Sequence, residues 1–179
     1  APKKGLYHNL SKFYAAQAHR NLGTVAFAAG KFNEALEYFQ LALELNPEHA
    51  DLNFFIGISF NNLGEFDHAV KAFIAALAVD PDHLPTQMKL AVVFHNLKLW
   101  DSAATTYRSI LLQKPKYADI HYRLGLALLG AGKIDDAIAA FESAIKINAD
   151  YTDARIKAGI AYAQQGDTET ALDHLGHVI

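Results

Sequence analysis

The stretch GKFNEALEYFQLALELNPEHA, residues 30–50, decides the fold, because the chain repeats it in modified form. The stretch GEFDHAVKAFIAALAVDPDHL follows at residues 64–84, thirty-four positions later. Both stretches begin with Gly, a charged residue and Phe, carry Ala at the sixth place and reach Pro at the eighteenth. Two copies at a fixed distance indicate an internal repeat, which sets the architecture before any other signal.

The same offset holds along the rest of the chain. From Gly30 and Gly64 it leads to Lys98, Gly132 and Gly166. Five places after this position every copy has an alanine: Ala35, Ala69, Ala103, Ala137 and Ala171. Nine places after it four copies have an aromatic residue: Phe39, Phe73, Tyr107 and Phe141. Upstream of each of the first four turns a large apolar residue precedes a small one, as Leu22-Gly23, Ile56-Gly57, Leu90-Ala91 and Leu124-Gly125.

Each copy is predicted to be two helices joined by a tight turn. Between Ala16 and Pro47 the apolar residues fall at helical spacing, which Gly30 interrupts. Glycine suits the left-handed backbone that ends a helix, so Lys98 at this register predicts a strained turn. A glycine inside a helix, such as Gly57, costs about 1 kcal/mol against Ala. Its recurrence at one register predicts a close approach between helices.

This pattern resembles the tetratricopeptide repeat, a 34-residue helix-turn-helix with the signature W-x₂-L-G-x₂-Y…A-x₃-F…P. The resemblance implies an all-α, right-handed superhelical solenoid of about five units, at 16–49, 50–83, 84–117, 118–151 and 152–179. The Trp of the signature is missing from every copy, and its place is taken by His19, Asn53, Gln87, His121 and Arg155. We therefore expect different packing at that corner of each unit.

Residues 1–15 do not follow the repeat, and they are too apolar for a tail that makes no contact. Three interpretations are open: a first helix extended backwards, a helix that caps the array, or a segment that fills the groove of a neighbouring molecule. Ser11 is predicted as an N-cap. The candidate self-association residues are Leu6, Tyr7, Leu10, Phe13 and Tyr14.

In the family that the repeat resembles, the first helix of each unit lines a concave groove that holds the ligand. Carried over by register, the candidate groove has an apolar floor with Asn and His along one wall, suited to an amphipathic helix or an extended apolar segment. The alternative is that some of the apolar members pack between neighbouring helices. The candidates are Phe54, Ile58, Asn61, Asn62, Met88, Lys89, Val92, His95, Asn96, Tyr122, Arg123, Leu126, Leu129, Ile156, Lys157, Ile160 and Gln164.

Basic residues also recur at one register of these helices, at Lys89, Arg123 and Lys157. They either meet an acidic partner or pair locally, since Asp119 and Asp153 stand four residues before Arg123 and Lys157. Charge differs between neighbouring units as well. Residues 50–83 hold one Lys or Arg against five Asp or Glu, and residues 84–117 hold five against one. Such units either neutralise each other or dock between copies.

Composition excludes several classes of function. A net charge of −3 gives no reason to expect a nucleic-acid partner, and no apolar run is long enough for a transmembrane segment. Cysteine is absent, so disulfides and thiolate chemistry are excluded, and the chain suits the cytoplasm or the periplasm. A start at Ala1 rather than Met is compatible with an upstream targeting segment.

No catalytic motif and no cofactor site is evident, so we expect a protein that is not an enzyme. The one metal alternative is the pair His174 and His177, three residues apart beside Asp173, for which no third ligand is evident. Our expectation is no bound metal.

The sequence thus predicts an adaptor or scaffold whose partners are protein segments. The alternative is a coat that assembles from copies of itself through residues 1–15 and the charged units. The layout also resembles a group of bacterial magnetosome-associated tandem-repeat scaffold proteins. That resemblance implies a cytoplasmic protein associated with the surface of a membrane-bound organelle.

Overall fold

The computed structural model describes residues 2–47 and 51–177, with the side chains of residues 2–6 and 8 excepted. All regular structure in this part of the chain is helical, as predicted. The helices are α1 (Pro2–Ala28), α2 (Phe32–Leu45), α3 (Leu52–Asn62), α4 (Phe66–Val79), α5 (Leu84–Asn96), α6 (Trp100–Gln113), α7 (Ala118–Gly130), α8 (Ile134–Ile147), α9 (Thr152–Gln165) and α10 (Thr168–Gly176). No described helix is both long enough and apolar enough to cross a bilayer.

The helices pack as the repeated pairs that the sequence predicts. Within a pair, α1 packs on α2, α3 on α4, α7 on α8 and α9 on α10. Between pairs, the second helix of one packs on the first helix of the next, as α2 does on α3, α6 on α7 and α8 on α9. The chain forms two compact units, Ala1–Val93 and Phe94–Ile179.

The turn between the helices of a pair uses the left-handed backbone at every register position. Gly30, Gly64, Gly132 and Gly166 have φ between 73° and 86°. Lys98 has φ 58° and is the one non-glycine residue with positive φ among the described residues. The strain predicted at Lys98 is confirmed, since a Cβ disfavours this region by about 1–2 kcal/mol.

The glycine inside α1, α3 and α7 gives room to the aromatic ring of the partner helix. A Cβ on Gly57 would stand 2.5 Å from Cδ1 of Phe73, and one on Gly23 equally close to Phe39. The rings of Phe39 and Phe73 are fully buried. The close helix–helix approach predicted from the recurring glycines is therefore confirmed.

At the corner where the signature Trp is missing, polar side chains bond to the backbone instead. Gln87 Nε2 donates to the carbonyl oxygen of Pro81 at 2.7 Å, six residues earlier. His121 Nε2 donates to Pro115 at 2.9 Å, and Arg155 Nε donates to Ala149 at 2.9 Å. The side chain at the Trp position thus donates a hydrogen bond to a backbone carbonyl of the loop before its helix. This bond is the different packing that the sequence led us to expect at this corner.

The first helix begins far upstream of the repeat. It runs unbroken from Pro2 to Ala28, so the first helix is extended backwards, and the prediction of Ser11 as an N-cap is wrong. Ser11 lies within the helix with an exposed side chain. No helix-breaking residue lies between Leu6 and Gly23, so propagation of the helix prevails over the local capping preference of Ser11.

Candidate protein-binding surfaces

The predicted groove residues lie on the part of the first helices that the core leaves open. In the first compact unit Phe54, Ile58, Asn61, Met88 and Val92 are half-buried, and Asn62 and Lys89 are exposed. In the second unit the half-buried ones are His95, Tyr122, Arg123, Leu126, Leu129, Ile156 and Lys157, and the exposed ones are Asn96, Ile160 and Gln164.

Other faces of the same helices anchor them. In α3 the residues Leu52, Ile56 and Ser59 are buried, and Leu52 and Ile56 share a core cluster with Leu36 of α2. In α7 the corresponding buried residues include Ile120 and Leu124. Each first helix therefore has one face committed to the core and another that keeps solvent access.

Phe54 shows how a half-buried member is held. Its ring meets Phe55, Phe73 and the edge of His83, with centroid distances of 5.4, 6.3 and 5.2 Å. His83 is fixed in turn, because its Nδ1 lies 2.6 Å from the hydroxyl of Thr86. The ring is thus positioned rigidly, which lowers the entropy cost of binding against its free side.

A pocket of about 290 Å³ opens beside Phe54 in the first compact unit. Its apolar walls include Phe55 and Val79, and two carboxylates, Asp51 and Asp80, lie at its lining. Asp51 is paired with Arg20 at 2.8 Å. Asp80 has no ion-pair partner among the described residues, so an aromatic wall and an unpaired carboxylate face the same space.

In the second compact unit the half-buried face includes a hydrogen-bonded network. Arg123 Nε donates to Asp119 Oδ2 at 2.7 Å, and the Tyr151 hydroxyl donates to Asp119 Oδ1 at 3.2 Å. Tyr122 packs against Tyr151 and Phe141, with centroids 5.2 and 5.9 Å away. Asp119 thus ties the first helix of one repeat to the loop that opens the next.

Burial changes the titration of two groups on this face. Desolvation, reinforced by Asp119, raises the pKa of Tyr151 to about 12, so its hydroxyl stays protonated even in alkaline solution where an ordinary tyrosine would ionise. Burial, with a smaller contribution from Arg123, lowers the pKa of His95 below 6.5. His95 also meets the edge of Trp100, with centroids 5.0 Å apart. His95 is therefore neutral at neutral pH, and the charge of Arg123 is balanced by that of Asp119.

The local pairing predicted for the basic register is confirmed at one position and wrong at another. Arg123 pairs with Asp119. Lys157, which is half-buried, makes no ion pair with the exposed Asp153 within 4.0 Å, because a four-residue spacing brings two side chains near each other without fixing their rotamers. Lys89 is exposed and has no ion pair among residues that the structure describes.

The candidate self-association residues form an exposed aromatic surface on α1. Tyr7 and Tyr14 are each 67 % exposed, and Leu10 and Phe13 are also exposed. The side chain of Leu6 lies outside the described residues.

The two C-terminal histidines lie in different environments. His174 is buried, stacks on Tyr162 and places Nε2 2.9 Å from Glu142. His177 is exposed, with Nδ1 3.0 Å from the carbonyl oxygen of Asp173. Over the described residues, no three His, Asp or Glu side chains are grouped as metal ligands.

Sequence reasoning missed the residues that complete these surfaces. Asp80 and Tyr151 lie in the loops between repeats, which were not counted as part of the groove. Register offered a signal, since Tyr151 and His83 occupy the same place in the 34-residue period. Each of these rings packs on the first helix of its own repeat.

Comparison with known proteins agrees with this architecture. Two tetratricopeptide repeat profiles match the chain, one over residues 16–49 and the other over residues 56–119 and 122–175. No curated protein sequence matches. Among solved structures, MamA 41-end from Desulfovibrio magneticus RS-1 is similar at 24 % identity with a TM-score of 0.80, covering 92 % of this chain and 93 % of its own.

A second solved structure, described as a crystal structure of MamA protein, has 20 % identity and a TM-score of 0.83. It covers 92 % of this chain and 90 % of its own. At these identities the likeness concerns the fold, and the profile matches cover most of the sequence. The chain belongs to the tetratricopeptide repeat family.

Proposed function

We propose that the protein is a non-enzymatic adaptor that binds protein segments on the half-buried faces of its first helices. One observation carries the proposal: none of the seventeen groove residues is buried, although every one lies on a helix whose opposite face is packed into the core. An apolar surface that the fold holds rigidly and leaves uncovered is typical of an interaction site.

The ligand that fits these faces is an apolar segment with a basic side chain. Ile58, Met88 and Leu126 supply apolar contact, and the exposed amides of Asn96 and Gln164 supply hydrogen-bonding groups for a peptide backbone. In the first unit, a Lys or Arg of the ligand would bring its stem against Phe54 and Phe55. Its charge would then meet Asp80.

The test is affinity capture from the source lysate with the wild type and the double variant Met88→Glu, Leu126→Glu in parallel. This variant places one charge on the open face of each compact unit. We expect it to lose the partner that the wild type captures, because burying an unpaired carboxylate against an apolar segment is costly.

A matched control separates this effect from a change in net charge. Ile74 of α4 is 51 % and Leu112 of α6 is 87 % exposed, and both lie on second helices, so the double variant Ile74→Glu, Leu112→Glu adds the same two charges and should capture as the wild type does. Equal capture by the Met88→Glu, Leu126→Glu variant and the wild type would contradict the proposal.

A second candidate function is a scaffold that assembles from copies of this chain, placing residues 1–15 in the groove of a neighbour. The exposed Tyr7 and Phe13 favour it. The similar solved structures carry the name MamA, and the resemblance noted for the sequence implies a cytoplasmic scaffold at the surface of a membrane-bound organelle.

Mass in solution against concentration tests this second function. The double variant Tyr7→Glu, Phe13→Glu and the groove variant should each lower the assembled mass if the segment occupies the groove. Assembly that neither variant weakens would exclude docking of the segment in the groove.

A further inference from the structure

The pocket beside Phe54 and the same place in the fourth repeat are related by two periods of the sequence repeat. Three positions matter in each: an aspartate at the start of the first helix, an aromatic residue three positions later, and an aromatic residue in the loop after the second helix. They are Asp51, Phe54 and His83 in the second repeat, and Asp119, Tyr122 and Tyr151 in the fourth. The chain therefore shows one site twice, with different side chains.

In the fourth repeat the chain supplies its own donors to the aspartate. The Tyr151 hydroxyl donates to Asp119 Oδ1, and Arg123 Nε donates to Asp119 Oδ2. The ring of Tyr151 also packs against that of Tyr122, with centroids 5.2 Å apart. A planar side chain thus lies on the aromatic residue of the first helix while its polar end reaches the carboxylate.

In the second repeat neither of these donors is present. Phe55 takes the place of Arg123. His83 takes the place of the tyrosine, and its Nδ1 lies 2.6 Å from the hydroxyl of Thr86. The pocket of about 290 Å³ opens between His83 and Asp51, which both line it. The space that a tyrosine bridges in the fourth repeat is therefore open in the second.

The pocket has more negative charge than the chain balances. Arg20 donates to Asp51 Oδ2 at 2.8 Å, and Asp80 has no ion-pair partner among the described residues. An ionised carboxylate has about four acceptor sites, so Asp51 can accept a further donor as well. No Lys or Arg is among the described residues that line the pocket. These charges favour a cationic occupant.

The size and the walls of the pocket suit a single side chain. Its volume of about 290 Å³ lies at the lower end of the roughly 300–1,000 Å³ that small-molecule sites span. Phe54, Phe55 and Val79 give it apolar walls. A long side chain with an apolar stem and a charged end therefore fits better than a whole helix.

Among cationic side chains, arginine matches the site better than lysine. Its planar guanidinium packs on an aromatic face, and its five N–H donors can serve two carboxylates at once, whereas the ammonium of lysine is a compact point charge. The chain itself pairs both equivalent aspartates with arginine, Asp51 with Arg20 and Asp119 with Arg123.

We propose that the pocket binds an arginine side chain of the protein partner, with the guanidinium packed on Phe54 and donating to Asp80 and Asp51. The occupant then makes in the second repeat the contacts that Tyr151 and Arg123 make in the fourth. This inference rests on the binding function proposed above and narrows the ligand to a segment that carries arginine.

The test is a titration of the full chain with blocked amino acids, followed through the backbone amide signals of Val79, Asp80 and His83 in NMR spectra. The probe is N-acetyl-arginine amide. N-acetyl-citrulline amide has the same shape without the charge, and the corresponding lysine and tyrosine compounds represent the other occupants. We expect saturable shifts with the arginine compound, weaker binding of the lysine compound, and no binding of the citrulline compound.

Two variants with matched controls locate the binding. Asp80→Asn should weaken binding of the arginine compound about fivefold, the upper end for an exposed ion pair. Asp82→Asn removes the same charge from the same loop outside the pocket lining and should bind as the wild type does. His83→Tyr introduces the residue of the fourth repeat, so it should close the pocket and abolish the shifts. His68→Tyr makes the same exchange on α4, away from the pocket, and should change nothing.

Circular dichroism checks that each variant keeps the helical content of the wild type. The proposal is overturned if the arginine compound does not bind, if the citrulline or tyrosine compound binds as tightly, or if Asp80→Asn or His83→Tyr binds as the wild type does. Failure of the adaptor function is a different result, because it appears as undiminished partner capture by the Met88→Glu, Leu126→Glu variant and not in this titration.

Discussion

Gly125 lies against the ring of Phe141, where a Cβ would stand 2.4 Å from Cε1. Phe141 is fully buried, so the ring has little room to move away. Gly125→Ala should therefore destabilise the fold. Overpacking costs about 1–3 kcal/mol, and the better helix propensity of Ala returns about 1 kcal/mol. Chemical denaturation measures the difference.

Gly176→Ala is the control for this substitution, because nothing lies within 4 Å of the added Cβ. It should leave the free energy of unfolding unchanged or slightly higher. A Gly125→Ala variant that is more stable than wild type would show that the helices do not approach as closely as described.

Lys98 holds a left-handed turn that glycine occupies in the other four repeats. Lys98→Gly should raise the free energy of unfolding by about 0.5–1 kcal/mol, because removing the Cβ relieves the strain while the unfolded chain gains some freedom. Lys114 has φ −133°, so Lys114→Gly relieves no such strain and should be neutral or destabilising. A loss of stability in Lys98→Gly would contradict the strained turn.

His121 replaces the signature Trp and bonds to the carbonyl oxygen of Pro115. His121→Ala should lower the free energy of unfolding by about 1 kcal/mol, because that carbonyl loses its partner. His121→Gln should recover most of the loss, since Gln87 makes the same bond at the same register. Equal stability of the Ala and Gln variants would mean that ring packing, and not the hydrogen bond, matters there.

His95 predicts a dependence of stability on pH. Its pKa is lowered below 6.5 in the folded chain, chiefly by burial. As pH falls through 6.5 the unfolded chain binds a proton at this site more readily than the folded chain does. Stability should therefore fall with pH and level off below the folded pKa. His95→Gln should reduce that fall between about pH 7 and about pH 5, and parallel curves for the two proteins would contradict the assignment.

The periodic features of the fold were predictable because they depend on residues at fixed spacing. Gly57 and Phe73 recur at one register, and the structure brings them together. The bond from His121 to Pro115 was not predictable in the same way, because its acceptor is a backbone carbonyl whose position depends on the folded loop. The prediction of Ser11 as an N-cap was wrong because a capping residue acts only where a helix begins, and α1 begins upstream of Ser11.

For the candidate surfaces, the sequence gives the register of each residue but not how much of it the neighbours cover. Leu22 and Leu90 look alike in the repeat, yet Leu22 is exposed and Leu90 is buried. Position in the array decides this difference. Register alone therefore could not separate the groove residues from those that pack between helices.

The adjacent residues Ile58 and Ser59 of α3 give the most direct test of the central claim, that the open faces of the first helices bind a partner. Ile58 is half-buried on the proposed binding face, and Ser59 is fully buried on the core face, with its hydroxyl donating to the carbonyl oxygen of Phe55 at 2.8 Å. The same carboxylate is placed at each position, and unfolding and partner capture are measured for both variants.

Ile58→Asp should fold with a free energy of unfolding within about 1 kcal/mol of wild type and lose the captured partner, whereas Ser59→Asp should lose several kcal/mol of stability by burying a charge. If Ile58→Asp unfolds as Ser59→Asp does, the proposed binding face is core, and the account is contradicted.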